Sequence, residues 1–205
     1  MAAKIRYHVG DLPEPLSGVS SVAVDTEAMG LINRRDRLCV VQLSTGDGTA
    51  DVVQIPRGHR QSPNLMQLMA DPSVEKLFHF GRFDMGIIAA HYGVMPQPIY
   101  CTKIASKLVR TYTDRHGLKE LARELIGEDL SKQQQSSDWG AETLTDAQLA
   151  YAASDVLYLH QIRDALTTML QRENRLELAR QVFATLPIRV ALDLAGWDEI
   201  DIYAH

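Results

Sequence analysis

An α/β fold in a single domain is what this sequence predicts, and three observations predict it. Short β-branched runs crowd the first quarter of the chain, strand and helix patterns alternate in the middle, and from about residue 118 onward the pattern is helical. Neither an internal repeat nor a linker interrupts that order, and 205 residues suffice to bury a core without disulfides.

The elements follow in chain order. Residues 21–27 form a β-branched strand ended by Met29-Gly30. Residues 38–43 form a second strand, followed by the turn residues Thr45-Gly46-Asp47-Gly48, and 49–53 complete a β-meander. Residues 65–69 are a helix stopped by Asp71-Pro72. Residues 76–80 are a fourth strand running into a helix over 83–91, and 99–101 are a short fifth strand before a helix bearing Lys103. Leu118, Leu121, Ala122 and Leu125 share a helical face, with Gly127 as its C-cap. Residues 130–139 are polar loop. Thr145 caps a long helix through Tyr151 and Asp155 toward Arg172. A last amphipathic helix carries Leu176, Ala179, Val182, Phe183 and Leu186 and stops at Pro187. Beyond it, Val190, Leu192, Trp197, Ile200 and Tyr203 are so apolar that the segment docks on its own core or contacts another subunit.

Bulk properties narrow the function. The N-terminus has no apolar signal region and no apolar run reaches the length of a membrane span, so a cytoplasmic protein is expected. Cys39 and Cys101 read as small buried hydrophobes. A net charge of −5 argues against gripping long duplexes through many phosphates. Lys103, Lys107 and Arg110 share one helical face, either a solvated stripe or a rail for phosphates.

Asp25 and Glu27 alternate on a strand, so their carboxylates share a face, a costly arrangement without a compensating cation. Oxygen donors of this kind suit Mg²⁺ or Mn²⁺. Asp84 follows a strand and opens a helix, where an acid is also favoured by the helix dipole alone. Tyr151 and Asp155 lie one turn apart on a late helix among small residues. Each feature alone is common; their combination is not.

Val24-Asp25-Thr26-Glu27, His79-Phe80-Gly81-Arg82-Phe83-Asp84 and Tyr151-Ala152-Ala153-Ser154-Asp155 resemble the three exonuclease motifs of the DEDD superfamily, tyrosine subclass. His116-Gly117-Leu118-Lys119-Glu120-Leu121-Ala122 and Lys132-Gln133-Gln134-Gln135-Ser136-Ser137-Asp138-Trp139 are similar to segments of ribonuclease D. The resemblance covers about residues 20–165, and only about forty residues follow, fewer than the downstream helical domains of ribonuclease D would need. The chain therefore resembles the compact single-domain members, the nanoRNase C type, with a motif-bearing core and a C-terminal helical segment over about 166–205.

That resemblance implies a ribonuclease-H-like fold with a five-stranded mixed sheet flanked by helices. It also implies 3′→5′ hydrolysis of short single-stranded RNA, dinucleotides above all, with DNA or longer RNA as the alternative substrate. A non-catalytic nucleic-acid-binding module is the competing expectation outside enzymes. Two divalent cations per site, Mg²⁺ or Mn²⁺, are implied, with Asp25 bridging, Glu27 and Asp155 completing the first ion, Asp84 holding the second, and Tyr151 orienting water. A phenol of pKa about 10 is a poor base at neutral pH. Substrate contacts are expected from Thr26, Met29, Leu31, His79 and Phe80, and phosphate contacts from Arg110 and Lys132. For Leu31 the alternatives are a wedge between bases or an ordinary half-buried leucine; for Trp139, base stacking or packing. The nanoRNase C type further implies a homo-oligomer, an octameric ring.

Overall fold

The computed structural model describes residues 4–131 and 133–204. Its centre is a six-stranded mixed sheet. The strands are β1 (Lys4–Val9), β2 (Ser21–Ala28), β3 (Leu38–Ser44), β4 (Thr49–Gln54), β5 (Glu75–Phe78) and β6 (Ile99–Cys101). Their order is β1-β4-β3-β2-β5-β6. β2, β3 and β4 form the expected antiparallel meander, while β5 and β6 add in parallel to β2. The fold is thus the expected α/β arrangement, a mixed sheet flanked by helices.

The sheet has six strands where five were expected. The extra strand, β1, pairs in parallel with β4 at the edge. Its alternation was present in the sequence: Ile5, Tyr7 and Val9 are exposed on one face, while Arg6 and His8 on the other both reach Asp51 of β4. An edge strand this exposed lacks the apolar run that marks a central one.

The helices are α1 (Pro63–Ala70), α2 (Gly81–Tyr92), α3 (Thr102–Val109), α4 (Leu118–Leu121), α5 (Asp146–Leu157), α6 (Leu159–Arg172) and α7 (Leu176–Leu192). α4 runs on into a π-helical turn, Ala122–Ile126, and Gly127 caps it at φ 75°. Two helix limits depart from the expected ones. The helix begun at Thr145 breaks at Tyr158 (φ −105°, ψ −4°), giving α5 and α6 rather than one rod. α7 passes through Pro187 to Leu192, because Leu186 and Val190 on either side of the proline are buried in the core.

Val22, Val24, Val40, Val41, Leu43, Val52 and Val53 fill the sheet core and are essentially solvent-free. α5 packs across β2, β3 and β4, and α2 packs on β2, β3 and β5. Because side chains alternate along a strand, Asp25 and Glu27 point toward α5 while Thr26 points toward α2. Among the described residues no helix is long and apolar enough to cross a membrane.

Candidate active site

Three elements converge at the end of β2. The strand is apolar up to Val24 and then presents Asp25 and Glu27. A bulge between Glu27 and Ala28 ends the regular register with β3, the kind of irregularity that re-aims a side chain. Across the ladder, Gln42 stands opposite Asp25 and donates its amide to the Asp25 carboxylate at 3.3 Å.

The second element is the β5–α2 junction. Gly81 fits there because a Cβ would stand 2.6 Å from the Phe78 Cβ. Phe80 takes the left-handed conformation (φ 64°), so the expected strand over 76–80 ends at Phe78 instead and the Phe80 ring is thrown outward. Asp84 lies in the first turn of α2, where the helix dipole favours an anion, and is buried. The Thr26 hydroxyl donates to it at 2.6 Å.

The third element is α5. Thr145 and Gln148 form a full capping box at its start. Ala152 and Ala153 are buried and let the helix approach the sheet closely. Tyr151 and Asp155 hydrogen-bond each other one turn apart. The Trp139 ring lies 6.0 Å from the Tyr151 ring at 40°, so Trp139 packs behind the tyrosine.

Ligand atoms of Asp25, Glu27 and Asp155 all fall within 4.8 Å of one another. Burial, reinforced by Asp84, Asp155 and Glu27, holds the Asp25 carboxyl well above the usual carboxylate range. Burial and the neighbouring Asp155 and Asp84 push Glu27 up to about 9. Desolvation raises Asp84 to about 7 against the opposing Thr26 hydrogen bond. Asp155 reaches about 7 for the same first reason, opposed by Tyr151. Burial and then Asp155, Glu27 and Asp25 raise the Tyr151 phenol far above its ordinary value. Four crowded carboxyls that cling to protons are a site short of positive charge. Hard oxygen donors at this spacing fit divalent cations, and a metal centre is the arrangement's natural use.

The other expected contacts differ in their exposure. Met29, Leu31 and Phe80 are exposed beside the site, and Lys103 stands 4.1 Å over the Phe80 ring. Leu31 and Phe80 line one cavity of about 340 Å³. His79 is half-buried and bonded to the Thr102 hydroxyl at 2.9 Å. Arg110 is not a phosphate contact: it is wholly buried and bonded to Glu124, the Arg115 carbonyl and the Ser106 hydroxyl. The basic stripe is therefore no rail, since only Lys107 on it is fully exposed. Lys132 lies outside the described residues. Two residues escaped the sequence: Gln42, whose signal is a buried amide on an otherwise apolar strand, and Arg82, whose partner Asp193 lies far along the chain.

The chain is similar to known proteins along most of its length. A family described as 3′-5′ exonuclease matches residues 7–171. Ribonuclease D of Acidiphilium cryptum (strain JF-5) is 35% identical over 175 residues, covering 85% of this chain and 44% of that protein. The chain thus spans less than half the length of that relative. Among solved structures, Brucella melitensis NrnC bound to pGG is 57% identical with a TM-score of 0.96, covering 99% of each chain. Brucella melitensis NrnC with bound Mg²⁺ is 56% identical with a TM-score of 0.95, covering 98% of this chain and 99% of that one. A carboxylate centre on this sheet, in a sequence matched along most of its length by such relatives, makes the chain a member of the 3′-5′ exonuclease family, of the ribonuclease D and NrnC type.

Proposed function

We propose that the chain is a 3′→5′ exoribonuclease of short RNA, dinucleotides first among its substrates, working with two divalent cations, Mg²⁺ or Mn²⁺. The observation that carries this is the cluster of Asp25, Glu27 and Asp155 within 4.8 Å, with Tyr151 bonded to Asp155. The likeness to a protein seen with pGG, whose formula is that of a two-residue oligonucleotide, supports the short substrate.

Water attacks the phosphorus of the terminal phosphodiester. The bond to the 3′-oxygen breaks, that oxygen takes up a proton, and a nucleoside 5′-phosphate leaves. Cations held at such a centre supply charge stabilisation and a bound water of lowered pKa. Asp25, Glu27 and Asp155 would hold the cation that activates the attacking water. Asp84, oriented by the Thr26 hydroxyl, would help to hold a second cation with Asp25. Gln42 holds the Asp25 carboxylate in place. Tyr151 remains protonated at physiological pH and therefore orients the water rather than deprotonating it. Thr26, Met29, Leu31, His79 and Phe80 are proposed to hold the terminal nucleotides, with Leu31 between the bases, and Lys132 to meet a phosphate.

The whole chain works as one catalytic unit in the cytoplasm, assembled as a homo-oligomer whose expected form is an octameric ring. Its mass in solution tests the assembly, and a monomer refutes it. For the activity, 5′-labelled RNA of two, three, five and twenty nucleotides and matching DNA are incubated with Mn²⁺, Mg²⁺ or EDTA, with Asp25→Asn as control. Metal-dependent loss of the dinucleotide fastest of all is expected. Efficient stepwise shortening of the twenty-mer or of DNA would leave an exonuclease of longer substrates instead. Binding without cleavage would favour a non-catalytic module.

A further inference from the structure

The cavity of about 340 Å³ that Leu31 and Phe80 line has two walls of unlike origin. One is the segment after β2, with Leu31, Ile32 and Asn33. The other comes from far along the chain, at Asp193, Leu194 and Asp198, and Phe80, Arg82 and Phe83, the residues leading to Asp84, line it too. Its size is at the small end for ligand sites, which run from about 300 Å³ upward. Apolar faces at Leu31 and Phe80 with polar groups at Asn33 and Asp198 suit a flat ring with hydrogen-bonding edges.

What holds the distant wall is an ion network. Arg82, two residues before Asp84, donates in bidentate fashion to Asp193 at 2.6 and 2.8 Å and reaches the Asp198 carbonyl at 2.8 Å. Arg189 donates to the same Asp193 carboxylate at 3.0 and 2.7 Å. It also reaches the carbonyls of Ile200 at 2.9 Å and Trp197 at 2.5 Å. Gly196 takes φ 105°, which lets the chain fold back there, and Arg34 faces Asp198 at 4.0 Å across the rim. Paired, bidentate contacts of this kind fix geometry as well as contributing energy.

We propose that residues 193–198 form a wall of the pocket for a substrate nucleobase, and that the Arg82–Asp193–Arg189 network positions this wall and so governs which nucleic-acid ends are accepted. The proposal rests on the short-RNA reading above. Asp193 and its two arginines are positioning residues; Leu194 is the side chain that meets the base. A loosened wall widens the pocket without touching the carboxylates.

The test is steady-state kinetics of Asp193→Asn and Leu194→Trp on labelled RNA of two and five nucleotides. Asp193→Asn is expected to raise KM for the dinucleotide at least fivefold with kcat within twofold. It should also shrink the preference in kcat/KM for two nucleotides over five. Leu194→Trp fills the cavity and is expected to raise KM for both lengths at an unchanged melting temperature, which keeps the proposal testable should Asp193→Asn unfold. Wild-type KM and length preference in folded Leu194→Trp would overturn the wall while leaving the exonuclease intact. A fall in kcat at constant KM would overturn it equally. Wild-type protein that cleaves neither RNA would overturn the substrate reading itself, and the wall with it.

Discussion

Arg110 is a guanidinium with no access to solvent, held at its two terminal nitrogens by Glu124, a backbone carbonyl and a serine hydroxyl, while its Nε is buried without a partner. A buried charge deprived of its partner costs more than the same volume filled by an apolar chain. Glu124→Ala is therefore expected to destabilise the fold by about 1–3 kcal/mol, more than Arg110→Met does. KM for RNA stays unchanged in both, as chemical denaturation and steady-state kinetics will show. A rise in KM on Arg110→Met would return Arg110 to the substrate site. Tyr151 works on the other side of the ledger between stability and chemistry. Its phenol stays neutral beside three carboxylates, so Tyr151→Phe removes orientation and not a base. A loss in kcat on the order of 10²-fold is expected, with KM within threefold and an unshifted pH–rate profile. A profile shifted by the substitution would make the tyrosine a titrating participant.

At the scale of elements, α5 delivers two of the five motif side chains, and its capping box sets where it starts. Thr145→Ala is expected to cost about 1 kcal/mol of stability, measured by urea unfolding. A loss of activity far beyond the loss of folded protein would mean the cap also fixes the register of Tyr151 and Asp155. This helix was legible because a capping residue and an apolar face announce themselves locally. β2 through β4 were legible for the same reason, as apolar runs separated by turn residues. What escaped depended on tertiary surroundings. β1 is a strand because β4 offers an edge and Asp51 offers a partner to Arg6 and His8. Pro187 sits inside α7 because the helix has buried residues to keep on both sides of it. Arg110 shares a helical stripe with Lys103 and Lys107, yet the sequence cannot say that its end of the stripe meets Glu124 rather than water. The five motif residues were legible as a set; Gln42 and the Arg82 network were not, because each acts on a partner brought near only by folding.

For the whole molecule, the carboxylate centre makes stability a function of pH and of cations together. Asp25, Glu27, Asp84 and Asp155 all have folded-state proton affinities above ordinary carboxylates, with Glu27 at about 9 and Asp84 and Asp155 at about 7. The folded chain then binds protons more tightly than the unfolded one across that interval. Stability from this source is present at low pH and is lost as pH rises from about 4 toward 9. A cation that binds only the folded centre acts in the opposite direction, adding about 2.7 kcal/mol at a hundred times its Kd. In EDTA the melting temperature should therefore fall between pH 5 and pH 9. Mg²⁺ or Mn²⁺ should raise it, and by more at pH 9 than at pH 5, because protons compete for the same oxygens. Asp25→Asn, which removes one charge from the crowd, should flatten the fall in EDTA and weaken the cation's effect. Calorimetry across that pH range separates the two contributions. A melting temperature in EDTA that climbs with pH would mean that the four acids are paired with cationic groups of the protein itself, and the centre would then need no metal to stand together.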